Sequence, residues 1–375
     1  MRTATAIGLA VTMLLLAGCA TSVRAGDDEL SGWVAVDEFP LEPRGAPVIV
    51  WTGEEVIVAG GELGPPCPPT ADCVTGPSAE DGAALDPWTG RWRELAEAPL
   101  PIHPGSGAFA GGHLFAWADA DGVGRALLSY GAGEDEWSEV DVPDDLPRTL
   151  IADGDDLLLP LASHESGGGA DLVLDVATGE WSELPADPLG AMFDRYLTAT
   201  PDGILLTGKA FVESAGAAEP PLVQVALYDR DTGAWKRLPD AEQIGGWNWR
   251  WTGTRAVDVT LGGADGGEID GWGREYPFGG VVSVPDGEWS ELPDAPRRAG
   301  AVWLGSAIGG GRYVLGDGHV FDDVDETWTL LPSPPDAPDA AGDAIWADDR
   351  LVVVGGTDWS GIEGTRDVRS WVFTP

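Results

Sequence analysis

The 375-residue chain has little positive charge: 21 lysine and arginine residues stand against 63 aspartate and glutamate residues, for a net charge of −42. Only two of the basic residues are lysines, Lys209 and Lys236. A surface this acidic repels nucleic acid and anionic membrane surfaces, which excludes both as direct partners. Two interpretations of the acidic excess stay open, a solvation shell suited to high salt or dedicated cation binding.

Cysteine is also scarce, with three residues in the chain, and only Cys67 and Cys73 follow the N-terminal region. They lie in a Pro- and Gly-rich stretch, and in an exported protein such a close pair in a loop predicts a disulfide. A pair of metal-binding thiols is the alternative, but no nearby histidine completes a tetrahedral set. With four histidines in all, we expect no bound metal and no other cofactor.

Long apolar runs are missing except near the N-terminus, where residues 6–17 are mostly apolar and follow Arg2. About 12 such residues are too few to span a bilayer comfortably, so they predict an export signal. The run ends in the letters LAGC, which resemble a bacterial lipobox with its cysteine at Cys19. The resemblance implies a signal peptide at residues 1–18, a lipid on Cys19, a tether at 19–30 and a position on the extracytoplasmic face of a bacterial cell membrane. An ordinary cleaved signal or a short membrane anchor is the alternative.

Tryptophan, by contrast, is abundant, and much of it recurs in one local setting. A short turn rich in Asp, Thr and Gly precedes these tryptophans, as in LDPWTGRW, LDVATGEW and YDRDTGAW. Self-similarity at a spacing of roughly 40 to 55 residues is typical of a repeat architecture. The recurring residues are Trp92, Trp137, Trp181, Trp235, Trp289 and Trp328.

Each repeat predicts four short strands. In residues 195–238, the strand-like runs RYLTAT and ILLTG flank a Pro-Asp-Gly turn, and the run VQVALYD and a strand beginning at Trp235 follow. Four short antiparallel strands with turns between them describe a blade of a β-propeller. The 54 glycines and 30 prolines suit many such strands better than long helices.

The number of repeats predicts the number of blades. Six repeats are complete, and a seventh is split between residues 344–373, which supply three strands, and residues 32–36, which supply the fourth. We therefore predict an all-β, seven-bladed β-propeller spanning residues 31–375, in which the N-terminal strand joins the C-terminal blade and closes the ring. Closure removes two exposed sheet edges, whereas a six-bladed ring leaves one repeat unplaced.

The repeats resemble those of the kelch family. The resemblance lies in the turn before each tryptophan and in a Gly-Gly pair after the second strand, at Gly60-Gly61, residues 262–263 and Gly355-Gly356. It covers nearly all of residues 31–375 and implies a kelch-type propeller. It says little about function, because one fold serves enzymes, scaffolds and adaptors alike. Galactose-oxidase-like copper chemistry needs a cysteine–tyrosine crosslink, and a Cys67–Cys73 disulfide leaves no thiol for one.

A basic residue recurs where the chain re-enters each blade. Eleven residues separate Trp33 from Arg44, and the same spacing leads from two later tryptophans to His103 and Arg148, while the seventh repeat breaks the series with Asp339. In a propeller these positions converge on one end of the central channel, so we predict a positively charged ligand site there. Its basic members are Arg44, His103, Arg148, Arg195, Arg250 and Arg298.

Two interpretations of these arginines stay open. Arginine binds carboxylates bidentately, so the series suits an acidic sugar, a carboxylate metabolite or an acidic peptide end. Alternatively, each arginine bonds carbonyls and acidic groups of adjacent blades and is purely structural. Arg250 is the best candidate for ligand binding, because strand alternation places it opposite Trp247, Trp249 and Trp251. We add Trp249 and Trp272 as aromatic faces for a sugar ring.

Three functions follow as hypotheses. The first is a monomeric, non-enzymatic binding protein, anchored by its lipid, that holds an anionic glycan, a small acid or an envelope protein. The second is a carbohydrate-active enzyme resembling exported kelch epimerases of sialic acid, with His103 and Tyr276 as candidates for proton transfer. The third is an assembly role in the cell envelope, with structural arginines.

Overall fold

The computed structural model describes residues 32–68, 71–74, 76–120, 124–161, 169–211, 220–262, 276–295, 303–360 and 363–375. Regular structure in these residues consists of 27 strands, β1 to β27 in chain order. No helix in these ranges has the length and apolar character needed to traverse a bilayer.

The strands pair into seven antiparallel sheets, numbered here as blades 1 to 7. Blade 1 contains β2 (Val48–Trp51), β3 (Val56–Ala59), β4 (Gly82–Asp86) and β5 (Arg91–Glu94). Blade 2 contains β6 (Ile102–Ala110), β7 (His113–Ala120), β8 (Gly124–Gly131) and β9 (Glu136–Val140). Blade 3 contains β10 (Ile151–Asp153), β11 (Asp156–Leu159), β12 (Leu172–Asp175) and β13 (Glu180–Glu183). Blade 4 contains β14 (Met192–Thr200), β15 (Gly203–Ala210), β16 (Val223–Asp229) and β17 (Ala234–Arg237). Blade 5 contains β18 (Trp249–Trp251), β19 (Arg255–Asp258), β20 (Gly280–Ser283) and β21 (Trp289–Glu291). Blade 6 contains β22 (Tyr313–Gly316), β23 (His319–Asp322) and β24 (Thr327–Leu330). Blade 7 contains β25 (Ala340–Ala347), β26 (Arg350–Ser360), β27 (Glu363–Phe373) and β1 (Trp33–Ala35).

The predicted ring closure is confirmed by the pairing of β1 with β27. The two strands are antiparallel, with Trp33 opposite Phe373 and Ala35 opposite Trp371. The Trp33 ring also packs against Trp303, with ring centroids 5.5 Å apart. The N-terminal strand therefore covers what is otherwise an open edge of the last blade.

Blade 6 differs from the prediction of four strands, since its sheet has three in the described residues. Residues 303–308 run along its inner side as an irregular segment. Ser306 makes a single bridge to Gly316 of blade 6, and Ile308 makes a parallel bridge to Ile345 of blade 7. This segment thus links two blades by isolated bridges instead of completing one sheet.

The hydrophobic core of the described residues consists of seven clusters, each joining two consecutive blades. Ile57 of blade 1 packs with Leu114 of blade 2, and Ile49 of blade 1 packs with Val352 of blade 7. Because both faces of the inner strands are covered, runs such as β3 are apolar throughout instead of alternating. The seven clusters follow one another around the ring and confirm the seven-bladed propeller.

The recurring tryptophan joins each outermost strand to the preceding blade. The ring N–H of Trp92 donates to the carbonyl of Asp37 at 2.9 Å, and that of Trp137 donates to Ala96 at 2.8 Å. Trp289 of blade 5 is different, because its ring N–H donates to the Gln243 side chain at 2.9 Å. The remaining bonds to carbonyls join Trp181 to Asp141, Trp235 to Pro185, Trp328 to Pro293 and Trp33 to Pro332.

The Gly-Gly pair of blade 1 has a steric cause. Gly60 adopts a φ of 62°, in the left-handed region that favours glycine. A Cβ atom there would lie 2.3 Å from the Cβ of Ile102 on the next blade. The chain can therefore turn between β3 and the long loop only with glycine at this position. The predicted disulfide between Cys67 and Cys73 is present in that loop, with the two Cα atoms 5.8 Å apart.

Candidate functional site

Arg44 enters the propeller just before β2 and is held inside blade 1. Its Nη1 donates to the carboxylate of Asp81 at 2.6 Å and to the carbonyl of Gly60 at 3.2 Å. The guanidinium also lies over the Phe39 ring, 4.9 Å from its centroid. The side chain is only 3% exposed, so Asp81 pairs with its charge where solvent and ligands have little access.

Arg148 has an equivalent arrangement in blade 3. It forms a bidentate ion pair with Asp144, through bonds of 3.0 and 2.6 Å, and its Nη1 donates to the carbonyl of Leu159 at 2.7 Å. The hydrogen bond from Arg148 is the main reason that the pKa of the Asp144 carboxyl lies below its usual range. Asp144 is therefore ionised, and the guanidinium is neutralised by its neighbour in the chain.

Arg195 on β14 reaches back to blade 3. Its two terminal nitrogens bond both oxygens of Asp171, at 3.0 and 2.5 Å, and Asp187 lies 3.6 Å away. The side chains of Arg195 and Asp171 are 1% and 6% exposed. Charged groups buried this deeply need partners, and here the partners tie blade 4 to blade 3. The contacts of Arg44, Arg148 and Arg195 are thus those of the structural alternative.

The other sequence candidates of the described residues lie at separate places in the fold. His103, on β6, is half-buried, and its Nδ1 lies 2.7 Å from the carbonyl of Pro104. Trp249 is 1% exposed and packs in the core between blades 4 and 5, so it has no open face for a sugar ring. Tyr276 is half-buried. The predicted alternation holds only from Trp249 to Trp251, because β18 begins at Trp249 and Trp247 precedes it.

Three site residues of the prediction lie outside the described part of the chain. Two of them belong to the ligand site, Arg298 and Trp272, and one, Cys19, is the lipidation site. The whole of residues 1–31, with the predicted signal peptide and tether, also lies outside it.

Arg250 differs from the other arginines of the series. Its Nη1 donates to the Tyr196 hydroxyl at 2.7 Å and to the carbonyl of Trp249 at 2.9 Å, but both of these partners are neutral. No carboxylate of the described residues forms an ion pair with it. Its Nε is buried without a hydrogen-bond partner in these residues, a property that it shares with Arg44 Nη2 and Arg195 Nε. Asp258 on the next strand is fully buried and bonded to Thr260 and Gln243, and burial raises its pKa although the positive charge of Arg250 opposes the shift. Arg250 is therefore a partly buried cation that interacts with Asp258 at a distance but forms no ion pair or hydrogen bond with a carboxylate in the described structure.

A cavity of about 300 Å³ opens beside Arg250. Its walls come from three blades: Arg250 of blade 5, the segment 303–308 beside blade 6, and residues 341–344 at the start of blade 7. Gly310, just after this segment, lets the backbone approach Arg250 closely, since a Cβ on Gly310 would lie 3.1 Å from the Cβ of Arg250. Most of the lining is small or apolar, so a few polar groups decide what the cavity binds.

Asp343 on β25 is the acidic group of the same cavity. Burial raises the pKa of its carboxyl to about 6, although the positive charge of Arg366 opposes the shift. No hydrogen bond of its carboxyl oxygens to another side chain is found within the described ranges. The cavity thus combines a guanidinium that forms no ion pair in the described structure with a carboxyl whose pKa is raised by burial.

Sequence reasoning missed Arg366, a basic residue of blade 7 whose positive charge acts on Asp343. It lies on β27, and its terminal nitrogens donate to the carboxylate and the carbonyl of Glu62 at 2.8 and 2.9 Å. A hydrogen bond from the Gly76 N–H and this contact lower the pKa of the Glu62 carboxyl. The eleven-residue rule pointed to Asp339 instead, because Arg366 comes from the third strand of its blade. No signal of spacing identified it.

Sequence reasoning also missed Lys209. It is one of only two lysines in the chain, and this scarcity could have marked it as a candidate. Its ammonium group is buried, bonded to Asp194 at 2.7 Å and to the carbonyl of Ile244 at 3.0 Å. Phe193 and Trp247 cover it, with ring centroids 5.2 and 4.8 Å away. This arrangement joins blade 4 to the loop that enters blade 5.

A second, larger groove of about 950 Å³ lies along blade 2. Its walls include five carboxylates against two arginines, one of which, Arg148, is already paired with Asp144. The excess of negative charge in these walls repels an anion. The carboxylates of this groove are Asp119, Glu139, Asp141, Asp144 and Asp145. No group of three or more His, Cys, Asp or Glu side chains is arranged to hold a metal ion in the described parts of the chain.

Comparison of the sequence with the profiles of known protein families gives no match. Comparison with curated proteins gives none either. Among solved structures, the chain is similar to YjhT, with 13% sequence identity over 90% of this chain and 97% of that chain, and a TM-score of 0.45. The strand pairing and the clusters between blades establish the propeller independently of this similarity.

Proposed function

We propose that this protein is a binding protein whose propeller holds a small organic anion in the cavity beside Arg250. The observation that carries the proposal is the state of Arg250, which lines a cavity and forms no ion pair or hydrogen bond with a carboxylate of the described residues. Arg44, Arg148 and Arg195, by contrast, are already paired. A cavity of about 300 Å³ suits one ligand the size of a monosaccharide or a small metabolite.

The electrostatic setting supports this proposal. A guanidinium in a partly buried site forms charge-assisted hydrogen bonds with a carboxylate, and low-dielectric walls strengthen the attraction. The rest of the surface repels anions, since the chain carries a net charge of −42. Binding of an acid therefore depends on this local cation. The expected ligand is a monoanion such as an acidic sugar, because a single unpaired arginine compensates one charge.

The test is calorimetric titration with glucuronate, an acidic monosaccharide, and with glucose as its neutral counterpart. We expect glucuronate to bind and glucose to bind much more weakly. Arg250→Gln removes the cation and keeps an amide, so affinity should fall about 10- to 100-fold, which corresponds to a charged hydrogen bond of ~1.5–3 kcal/mol. Arg237→Gln is the matched control, because Arg237 is exposed and paired with Asp240 away from the cavity.

Two results would contradict the proposal: equal binding of glucose and glucuronate, or unchanged affinity in the Arg250 variant. Circular dichroism would verify that the variant is folded. Lack of binding by the unaltered protein would reject the acidic monosaccharide as ligand.

An enzymatic role is the second candidate, and Asp343 is the observation that favours it. A carboxyl whose pKa lies near 6 is suited to proton transfer at neutral pH. The earlier candidates His103 and Tyr276 are not among the residues that line the cavity. The test is incubation of glucuronate with the protein in heavy water. A binding protein should return the sugar without deuterium. Deuterium at a sugar carbon would favour the enzyme.

The repeats and the N-terminus complete the proposal. We propose that the blades are kelch-type repeats, on the strength of the Gly-Gly pair and the turn before each tryptophan. We also propose that residues 1–18 are a signal peptide and that Cys19 carries a lipid, with residues 19–30 as the tether. The protein then acts as a monomer on the extracytoplasmic face of a bacterial membrane.

A further inference from the structure

Asp343 poses a problem for anion binding, because its carboxylate and the ligand would carry the same charge in one small cavity. Both Asp343 and Arg250 line the 300 Å³ space. Like charges in a partly buried site repel strongly, whereas a neutral carboxylic acid donates a hydrogen bond to an anion. The protonation state of Asp343 therefore decides whether this residue opposes or assists binding.

The surroundings of Asp343 leave its carboxyl available to a ligand. The strand β26 pairs with it through Val354, and the segment 303–308 brings no charged side chain to it. Among the described residues, the charge that acts on its carboxyl is that of Arg366 from β27, and Arg250 lines the same cavity. Arg366 is engaged with Glu62, so it does not form an ion pair with Asp343.

We propose that Asp343 is a specificity-determining residue that binds the ligand as a neutral carboxylic acid, donating a hydrogen bond to the anion that Arg250 holds, so that the site takes up one proton together with its ligand. The inference rests on the proposed function of the cavity. It narrows the ligand class to anions whose oxygens reach both groups at once, such as a carboxylate or a carboxylate with an adjacent hydroxyl.

The titration of Asp343 gives this binding a defined pH dependence. The pKa of the free protein's carboxyl is about 6, and a bound anion raises it further. Below that pKa the proton is already present, so affinity is independent of pH. Above it, each bound ligand requires a proton from solution, and affinity falls about tenfold for each unit of pH until the pKa of the complex is reached.

The experiment is titration of glucuronate into the full-length protein from about pH 5 to pH 8, a range in which the sugar carboxylate stays ionised. Repeating it in buffers of different ionisation enthalpy counts the protons taken up. We expect constant affinity up to about pH 6, a roughly tenfold loss per unit above it, and uptake of close to one proton at neutral pH.

Asp343→Asn is the decisive variant, since the amide keeps a hydrogen-bond donor and cannot titrate. It should bind glucuronate with the same affinity at every pH and without proton uptake. Asp325→Asn is the control, because Asp325 is 65% exposed and paired with Arg312, and it should keep the wild-type pH profile. If the Asp343 variant fails to fold, the proton count of the unaltered protein still decides.

The outcomes separate this inference from the proposed function. Binding that is independent of pH, or a pH profile that persists in the Asp343 variant, overturns the role of Asp343 and leaves the role of Arg250 intact. Absence of glucuronate binding at every pH overturns both.

Discussion

Arg195 and Asp171 form the most deeply buried ion pair of the described residues, and they illustrate how a single carboxylate fixes the role of an arginine. Asp171 accepts from Arg195 and also from the backbone N–H of Leu161. Removing one partner of a buried pair leaves an uncompensated charge, which costs far more than the pair itself contributes.

We predict that Asp171→Ala lowers the free energy of unfolding by about 3–5 kcal/mol, because it strands the buried Arg195. Asp240→Ala is the matched comparison, since its pair with Arg237 is nearly half exposed and should contribute about 0–1 kcal/mol. Denaturant unfolding of the two variants measures both values. A loss at Asp171 no larger than that at Asp240 would contradict a structural role for this arginine.

The sequence predicted where the basic residues enter the blades, but it did not reveal which of them are paired. Asp144 lies four residues before Arg148. Asp81 and Asp171, by contrast, come from loops at no regular distance in sequence from Arg44 and Arg195. An acidic chain offers many candidate partners, so pairing depends on the fold. Asp343 was missed for the same reason, because its shifted pKa arises from burial.

At the scale of the element, β1 has a role out of proportion to its three residues. It covers the edge of β27, and Trp33 adds a ring N–H bond to Pro332 at 2.6 Å and packing against Phe373. An uncovered edge strand presents unpaired backbone groups to other molecules.

We predict that a protein comprising residues 37–375 is less stable than one comprising residues 32–375 by about 5 kcal/mol. The estimate combines loss of a buried tryptophan, ~3–5 kcal/mol, with a few backbone hydrogen bonds. The shorter protein should also self-associate through the exposed edge of β27. Unfolding curves and light scattering test this, and equal stability with no association would show that β1 does not close the ring.

Strands were more predictable than contacts, because the position of each strand depends on the local sequence pattern. The turn before each tryptophan located the third and fourth strands, and the split repeat located the ring closure. Prediction failed at Trp247, which precedes β18 and covers Lys209, and at the inner side of blade 6, where isolated bridges replace a strand. In both places long-range contacts override the alternation of side chains.

At the scale of the whole molecule, charge and anchoring are connected. With a net charge of −42 the protein is repelled by anionic lipid, so stable attachment to a membrane depends on the proposed lipid at Cys19. Two acyl chains are sufficient for firm attachment to a bilayer.

We predict that Cys19→Ala abolishes incorporation of labelled fatty acid and moves the protein from the membrane fraction to the soluble fraction of a bacterial host. The double variant Cys67→Ser/Cys73→Ser should remain lipidated, because those residues form the loop disulfide. Fractionation with radiolabelled palmitate measures both properties. Membrane retention of the Cys19 variant would favour the uncleaved anchor instead.

The backbone N–H of Thr374 lies 3.3 Å from the carbonyl of Gly32, so the first and last residues of the ring are direct neighbours. Each hydrophobic cluster of the described residues joins two consecutive blades, and none of these clusters marks one blade as first. A gene rearranged to begin at another hairpin, with a few residues joining the present ends, would encode the same set of interfaces. The order of the blades around the circle, and not the point at which synthesis starts, is what this protein's architecture requires.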